Sequence, residues 1–262
     1  MSDTGSFAEF KNRPAFDVER TLWVGVEWEG LVYCRRTGKV VPRAAEILNG
    51  LDPRWFAPEL SAAQVEIRTS PCPDRASLAD ELFFIKHVID VQASKAGLDI
   101  KFQDLGPMDM PLDVTNQERY YEIAKALGEE RLRAACRCLG FHVHVGMPDA
   151  GTALAVYNAI APSIRADIKK RANDPRLQEY RKVQSAFAPP QLESWHELYH
   201  KAVELGFAGN LRNCWWMLRL TEHGTLENRL AGAGLTLNQA IDYAWSFREQ
   251  CRVAVEEYRA AA

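Results

Sequence analysis

The sequence predicts an α+β fold in one domain. Several segments alternate apolar and polar residues with the two-residue period of a strand, whereas others repeat apolar residues at helical spacing. The length of 262 residues lies within the range of sheet-rich single domains. We therefore expect residues 1–262 to form a single domain, with residues 1–20 as an N-terminal arm and residues 236–262 as a C-terminal helix.

The composition excludes several classes of protein. Hydrophobic residues make up 47% of the chain, but no apolar run reaches the ~20 residues that a membrane span requires. The net charge of −3 provides no general attraction for nucleic acid. Six scattered cysteines without a CxxC pair are typical of reduced thiols. The N-terminal residues are polar and mixed in charge, so we expect no targeting peptide there. We expect a cytoplasmic protein with no membrane and no nucleic-acid partner.

The first third of the chain is predicted to be mostly sheet. In residues 21–28 apolar side chains alternate with others, and Glu27 and Glu29 share the face opposite the apolar one. Residues 36–39 have the composition of a hairpin turn. Two further short strands are expected at residues 56–60 and 63–69.

The middle of the chain is predicted to be largely helical. Apolar residues recur at helical spacing after Asp74, which has the side chain of a helix N-cap, and Gly97 follows as a stop signal. The predicted helices span residues 74–96, 117–127, 149–171 and 191–205. A strand is expected at residues 98–102 and a loop at residues 106–111. Residues 176–190 also have the composition of a loop, and we consider them a candidate lid over a site.

The most distinctive segment, LGFHVHVG at residues 139–146, alternates strictly. His142 and His144 lie on one face of the predicted strand, and the apolar residues lie on the other. A single strand of this kind is weak support for a site, because two polar residues on one face commonly face solvent.

The last part of the chain is predicted to contain a hairpin and a helix. Residues 215–221 and 225–230 alternate like strands and are separated by a short turn, which places Glu227 and Arg229 on one face. Residues 236–239 have the spacing of a capping box and begin the final helix.

Acidic or imidazole side chains thus recur on four predicted strands, each opposite an apolar packing face. They are Glu27 with Glu29, Glu66, His142 with His144, and Glu227 with Arg229. Like charges gathered in this way repel and are costly to desolvate, so we infer that cations neutralise them. Because carboxylate oxygens dominate, the pattern favours Mg²⁺ or Mn²⁺ over zinc.

Four motifs resemble, in order along the chain, the signature segments of the glutamate–cysteine ligase and carboxylate–amine ligase family. They are GVEWE at residues 25–29, ELSAAQVEIRTSPC at 59–72, GFHVHVG at 140–146 and WWMLRLTEHGTLENRL at 215–230. That family is similar to the glutamine synthetase-like superfamily. The resemblance therefore implies a curved antiparallel β-sheet that carries the active site, with helices packed on its outer face.

The resemblance also implies roles for individual residues. One metal ion, near the acid substrate, would be held by Glu29, Glu59 and Glu66, and another, at the ATP phosphates, by Glu27, His142 and Glu227. His144 would lie near the nucleotide. Arg229 would stabilise the transferring phosphoryl group, and Arg219 would contact phosphate or a substrate carboxylate. Apart from the resemblance, the incoming amine needs a base to accept its proton; Glu227 or another carboxylate near the metal ions is a candidate, and the sequence does not single one out.

The implied activity is the ATP-dependent joining of a carboxylate to an amine through an acyl phosphate. The resemblance implies ATP with two or three Mg²⁺ or Mn²⁺ ions, small-molecule substrates and a possible homo-oligomer, with glutamate or a related amino acid or peptide as the favoured acid. The chain contains no GxxxxGK[ST] loop, so metal ions and arginines would hold the phosphates.

Two alternatives remain open on the sequence. The pair His142 and His144 is also typical of a single-metal site of the cupin or hydrolase type. A family member without catalytic activity would instead bind nucleotide as a partner or sensor. The chain is also shorter than most members of the family, and residues 228–233 lack an aspartate that many members carry, which leaves the identity of the substrates open.

Overall fold

The structure, a computed structural model, describes residues 5–261. Within these residues seven strands form one antiparallel sheet. They are β1 (Val24–Cys34), β2 (Phe56–Pro58), β3 (Gln64–Arg68), β4 (Leu98–Lys101), β5 (Gly140–Gly146), β6 (Leu218–Leu220) and β7 (Thr225–Gly232). Their order across the sheet is β2-β3-β1-β5-β7-β6, and β4 pairs with the C-terminal part of β1. The predicted α+β class with an antiparallel sheet is confirmed.

Eight α-helices occur in the same described part of the chain. They are α1 (Phe7–Asn12), α2 (Ala44–Leu48), α3 (Arg75–Lys95), α4 (Glu118–Arg137), α5 (Ala150–Lys170), α6 (Pro175–Val183), α7 (Trp195–Glu204) and α8 (Leu237–Ala261). Helix α8 contacts α3 and α5 as well as β1 and β5, so these three long helices form a layer against the sheet. The capping box predicted at the start of α8 is present, because Thr236 and Gln239 exchange hydrogen bonds.

The two faces of the sheet have different roles. Val26 and Trp28 of β1 and Phe141 of β5 are buried on the helix face, where Trp28 also donates a hydrogen bond to the carbonyl of Ala233 at 2.8 Å. Alternation along β1 then places Glu27 and Glu29 on the opposite face. Burial of one face therefore fixes which side chains are available for a site.

The predicted N-terminal arm contains helix α1, and its first four residues lie outside the described part of the chain. Ser6 and Glu9 form a capping box at the start of the helix. Phe10 is buried, and the ring of Phe7 stacks on His196 of α7 with 3.6 Å between the ring centroids. These contacts attach residues 5–12 to the body of the protein.

Three sequence predictions need correction. Strand β1 begins at Val24, later than predicted, because Leu22 has a positive φ of 64° that breaks the extended chain. Helix α4 continues past residue 127 to Arg137, with a kink at Gly128, whose φ is 70°. The interpretation of residues 176–190 as a loop was wrong in its first half, because Asp174 caps helix α6 and Pro175 starts it.

Two further features concern the cysteines and the apolarity of the helices. All six cysteines are free thiols, as predicted. No helix between residues 5 and 261 combines the length and apolarity needed to cross a membrane.

Candidate active site

The register of the sheet arranges the predicted side chains in rows across its open face. One row runs from Arg68 on β3 through Glu27 on β1 to His142 on β5. A second row is Glu29 with Glu66 across β1 and β3, and a third joins His144, Glu227 and Arg219 across β5, β7 and β6. Residues far apart in the chain, such as Glu27 and His142, are therefore neighbours in space.

Glu27, His142 and Glu227 form a first cluster. One ligand atom from each lies within 4.8 Å of those from the other two. The Nδ1 atom of His142 is 3.3 Å from a carboxylate oxygen of Glu27 and 3.8 Å from one of Glu227. His142 and Glu227 are buried, and Glu27 is half-buried. The three side chains could hold one metal ion.

Glu29, Glu59 and Glu66 form a second cluster, in which the ligand atoms again lie within 4.8 Å of one another. Glu29 also accepts a hydrogen bond of 2.6 Å from the backbone N–H of Gly140. The Nε atom of the positively charged Arg68 side chain is 3.6 Å from a carboxylate oxygen of Glu66. The six predicted metal ligands thus lie in two groups, with the membership that the family resemblance implied, and their binding of metal ions stays a prediction.

Two arginines hold Glu227 from opposite sides. Arg219 donates from Nε to one carboxylate oxygen and Arg229 donates from Nη1 to the other. Arg219 is itself fixed by the backbone carbonyls of Arg212 and Cys214, at 3.0 and 2.8 Å. Nη1 of Arg229 is also 3.4 Å from Nδ1 of His142. The predicted phosphate-binding arginines therefore border the first cluster.

The charges of these arginines control the acidity of Glu227. Burial acts to raise the pKa of Glu227, but Arg219 and Arg229 outweigh it and hold the pKa far below its usual range. A carboxylate in this state is a weak base. The two guanidinium groups thus favour the ionised form of Glu227, and its role as the acceptor of the amine proton stays a prediction.

The second cluster has the opposite electrostatic character. Burial, followed by the charge of Glu59, raises the pKa of Glu29 to about 8. Burial also raises the pKa of Glu66 well above its usual range, with further contributions from Glu27, Glu59 and Glu29. Three carboxyl groups in this position favour either protons or a cation of high charge density.

The residues fit divalent metal ions of the Mg²⁺ or Mn²⁺ type. The donor set contains five carboxylates and one imidazole, which suits hard cations. Burial, followed by the charge of Arg229, lowers the pKa of His142 to about 4, so the ring is neutral near pH 7 and keeps a lone pair for a metal. The Nε2 atom of His144 is buried without a hydrogen-bond partner in the described residues and lies 3.6 Å from Glu27.

All nine predicted site residues line one cavity of about 550 Å³. Several other lining residues, from β3, α4, α6 and the segment before β6, were not predicted from the sequence. They include Arg68, Tyr120, Arg176, Tyr180 and Trp215. The Asp-Pro pair at 174–175 could have identified α6 as a helix, but nothing in the sequence shows that this helix faces the site.

Comparison with known proteins gives a family and a fold. The model of the family "Glutamate-cysteine ligase family 2(GCS2)" matches residues 23–163, which is just over half of the chain. A provisionally named glutamate–cysteine ligase 2 from Gloeobacter violaceus is 28% identical over 243 residues, and one from Rubrobacter xylanophilus is 28% identical over 233 residues. These alignments cover 83% and 80% of this chain.

The same alignments cover 64% and 63% of the two relatives, so the chain spans a little under two thirds of their length. Among solved structures, a bifunctional glutathione synthetase from Pasteurella multocida aligns with a TM-score of 0.59 and 14% sequence identity. The alignment covers 89% of this chain and 39% of that one. At this level of identity the likeness establishes a shared fold.

Proposed function

The chain belongs to glutamate-cysteine ligase family 2, as its motifs predicted, and from this premise we propose that it joins a small-molecule carboxylate to an amine at the expense of ATP. The observation that carries the proposal is the pair of carboxylate clusters that lie side by side in one cavity beside Arg219 and Arg229. In this proposal the described residues act as one catalytic domain.

The two clusters are assigned to two metal ions. Glu27, His142 and Glu227 would hold the ion at the ATP phosphates, and Glu29, Glu59 and Glu66 would hold the ion nearer the acid substrate. Bound divalent ions would supply neutralisation of the phosphate charge. The low pKa of Glu227 keeps this ligand ionised throughout the physiological range.

The arginines would bind the phosphoryl group that is transferred. The Nε of Arg229 is buried and has no hydrogen-bond partner among the described residues, so it is available to a phosphate oxygen. A guanidinium fixed beside the reacting group stabilises charge there without having to reorganise. His144, whose Nδ1 is 3.0 Å from the hydroxyl of Thr225, would contact the nucleotide from the neighbouring row.

The reaction requires an activated acid, because a carboxylate repels nucleophiles. One carboxylate oxygen would attack the γ-phosphorus of ATP, which breaks the bond to ADP and forms an acyl phosphate. The amine would then attack the carbonyl carbon and displace phosphate, which leaves an amide after loss of a proton. Glutamate or a related amino acid or peptide is the favoured acid, by analogy with the names of the relatives.

The structure gives less support to a single-metal hydrolase built on His142 and His144. Within residues 5–261, one group of potential metal ligands combines His142 with two carboxylates, and the other group contains three carboxylates. A hydrolase site based on the two histidines would leave Glu29, Glu59 and Glu66 without a role.

The test is an ADP-release assay with Mg²⁺, in which candidate acids are paired with a panel of amines and the amide is detected by mass spectrometry. We expect ADP release that depends on both substrates. Glu66→Gln and Glu227→Gln should each reduce it by at least about a hundredfold, because each removes a charge that the bound ions require. Glu130→Gln, at an exposed carboxylate of α4, is the matched control and should retain activity.

Manganese titration of the same variants tests the assignment of the ligands. The wild-type protein should bind at least two Mn²⁺ ions in the presence of ATP, and each of the two active-site variants should lose one of them. Binding of ATP without ADP release from any substrate pair would favour a non-catalytic role. Turnover of a substrate without nucleotide would contradict the ligase proposal.

A further inference from the structure

Strand β7 contains a bulge at Arg229. The register pairs Ala231 with Phe141 and Asn228 with Val143, so two residues of β7, Arg229 and Leu230, lie opposite the single residue His142. A bulge of this kind bends the strand and changes the direction of the side chains beside it. In this protein it accompanies the approach of the Arg229 guanidinium to His142.

The backbone groups of the two bulge residues are held by specific partners. The N–H of Arg229 donates to the carbonyl of Met217 at 2.9 Å, and the N–H of Leu230 donates to the side chain of Asn228 at 3.0 Å. The carbonyl groups accept from Arg176, whose Nη2 is 3.3 Å from the Arg229 oxygen and whose Nη1 is 3.2 Å from the Leu230 oxygen. Both bulge carbonyls are therefore bound by the Arg176 guanidinium, and the Leu230 oxygen also accepts from Nη1 of Arg171 at 3.2 Å.

Arg176 is an unusual residue for this position, because it is buried with only 2% of its surface exposed. Its third hydrogen bond, of 2.7 Å, runs from Nε to the carbonyl of Leu139 just before β5. Across the described residues its side-chain hydrogen bonds all go to backbone carbonyls of β7 and of the residue that precedes β5. Arg176 thus connects the bulge to the start of the strand that carries His142 and His144.

We propose that Arg176 is a positioning residue for Arg229: it fixes the β7 bulge and thereby aims the Arg229 guanidinium into the cavity. The inference deepens the proposed function and rests on it where phosphate binding is concerned. The geometric part, which concerns the position of Arg229, does not depend on the reaction.

The simpler possibility is that Arg176 only attaches α6 to the sheet. Helix α6 has other attachments, however. Glu179 forms a buried ion pair of 2.8 Å with Arg137, and Arg131 donates to the carbonyl of Val183, the last residue of α6, at 2.7 Å. An anchor for the helix alone would not need a guanidinium that spans both bulge carbonyls.

The first test is an NMR measurement of the Arg229 Nε–H group, which is buried and can be assigned by its absence in Arg229→Met. Arg176→Met should shift or broaden this signal. Arg176→Lys, which reaches fewer of the three carbonyls, should shift it less and carries the test if Arg176→Met does not fold. Arg131→Met removes an arginine–carbonyl bond from the other end of α6 and should leave the signal unchanged.

The second test is a double-mutant cycle on the dissociation constant of Mg²⁺–ATP. Arg229→Met should weaken binding about tenfold, and Arg176→Met about fivefold. If Arg176 acts through Arg229, the double variant should bind no more weakly than Arg229→Met alone, whereas independent effects would multiply.

The outcomes separate the two proposals. An Arg229 signal that is the same in the wild type, Arg176→Met and Arg176→Lys overturns the positioning role, as do effects that multiply in the double variant. Unchanged Mg²⁺–ATP binding in Arg229→Met would contradict the phosphate-binding role in the proposed function. A displaced Arg229 signal would then still support the positioning role of Arg176.

Discussion

Glutamates of the same sheet face differ widely in acidity because their neighbours differ. Glu227 lies between two guanidinium groups that lower its pKa, whereas Glu29 lies beside Glu59 in a buried position that raises its pKa to about 8. The first cluster therefore keeps ionised carboxylates at neutral pH, and the second has carboxyl groups that favour either protons or a bound cation. The site is asymmetric even though its two groups have similar composition.

Gly140 is a residue whose lack of a side chain is needed for this arrangement. A Cβ atom at this position would clash with the imidazole of His142 and would lie 3.1 Å from Nη2 of Arg176. We expect Gly140→Ala to lower the free energy of unfolding by about 1–3 kcal/mol, as overpacking does, and to weaken Mn²⁺ binding. Urea denaturation and Mn²⁺ titration measure the two effects.

Gly25→Ala is the matched control, because Gly25 is also a strand glycine beside the site but a Cβ there would meet only the carbonyl of Thr69, at 3.9 Å. The control should change Mn²⁺ affinity little. Equal losses in the two variants would show that the space at Gly140 is not a special requirement.

At the scale of the elements, strands were predicted better than short helices. Strand β5 and the first half of β1, through Glu29, present apolar residues on one face and open the other face to the cavity. Their sequences therefore alternate and reveal both the strand and the facing of Glu27 and His142. Helix α6 is only nine residues long and carries buried Arg176 and Glu179, so its pattern resembles a polar loop. Its role depends on contacts with distant elements, which local sequence does not encode.

The site residues, too, could be predicted only where a local sequence pattern marks them. The metal-ligand candidates were recognisable because several strands repeat one pattern of acidic and imidazole residues in a known order. Arg176 was not, because its partners are backbone carbonyls, which every residue possesses. The bulge at Arg229 was also invisible, since a two-residue period continues on the site face through Glu227 and Arg229 and gives no sign of an extra residue.

One attachment of α6 is the ion pair between Arg137 and Glu179, whose side chains are 7% and 11% exposed. Glu179→Leu leaves the guanidinium of Arg137 buried without its acid, so we expect the free energy of unfolding to fall by about 3–5 kcal/mol. Chemical denaturation measures this loss. The double variant Arg137→Met/Glu179→Leu should recover much of the stability, because two apolar side chains can replace a buried pair. No recovery would mean that Arg137 is needed mainly for its bond to the carbonyl of Gly106.

At the scale of the whole molecule, the helices α3, α5 and α8 support one face of the sheet and the other face is left for chemistry. The ligand candidates come from β1, the segment after β2, β3, β5 and β7, so the site is complete only when nearly the whole sheet is assembled. Global stability and the state of the site are therefore coupled.

This coupling predicts a pH dependence of stability for the metal-free protein. The pKa of Glu29 is raised from 4.5 to about 8 by burial and by Glu59, so the folded state holds a proton that the unfolded state releases above pH 4.5. The stabilising contribution is complete below pH 4.5 and is lost as the pH rises through about 8. Between pH 6.5 and 8 we expect the free energy of unfolding to fall by about 1 kcal/mol per pH unit for this proton.

The window begins at pH 6.5 because of His142, whose pKa is lowered from 6.5 to about 4. Between these two pH values His142 makes the free energy of unfolding rise with pH, which would mask the effect of Glu29. Denaturation curves across the window measure the slope, which Glu29→Gln should flatten. Saturating Mn²⁺ should abolish this slope, since the metal-bound folded state no longer holds the Glu29 proton. A slope that is unaffected by Glu29→Gln would place the responsible proton elsewhere.

The register of the sheet also constrains how the chain can misfold. If β5 slipped by one residue against β1, His142 and His144 would turn into the layer beneath the helices, and Phe141, Val143 and Val145 would face the water-accessible cavity. This slip would bury the two imidazole rings without hydrogen-bond partners and expose the three apolar side chains. The side chains proposed for chemistry thus also make the shifted register unfavourable. Replacing them with apolar residues would remove this energetic difference between the aligned and the shifted sheet, as well as the activity.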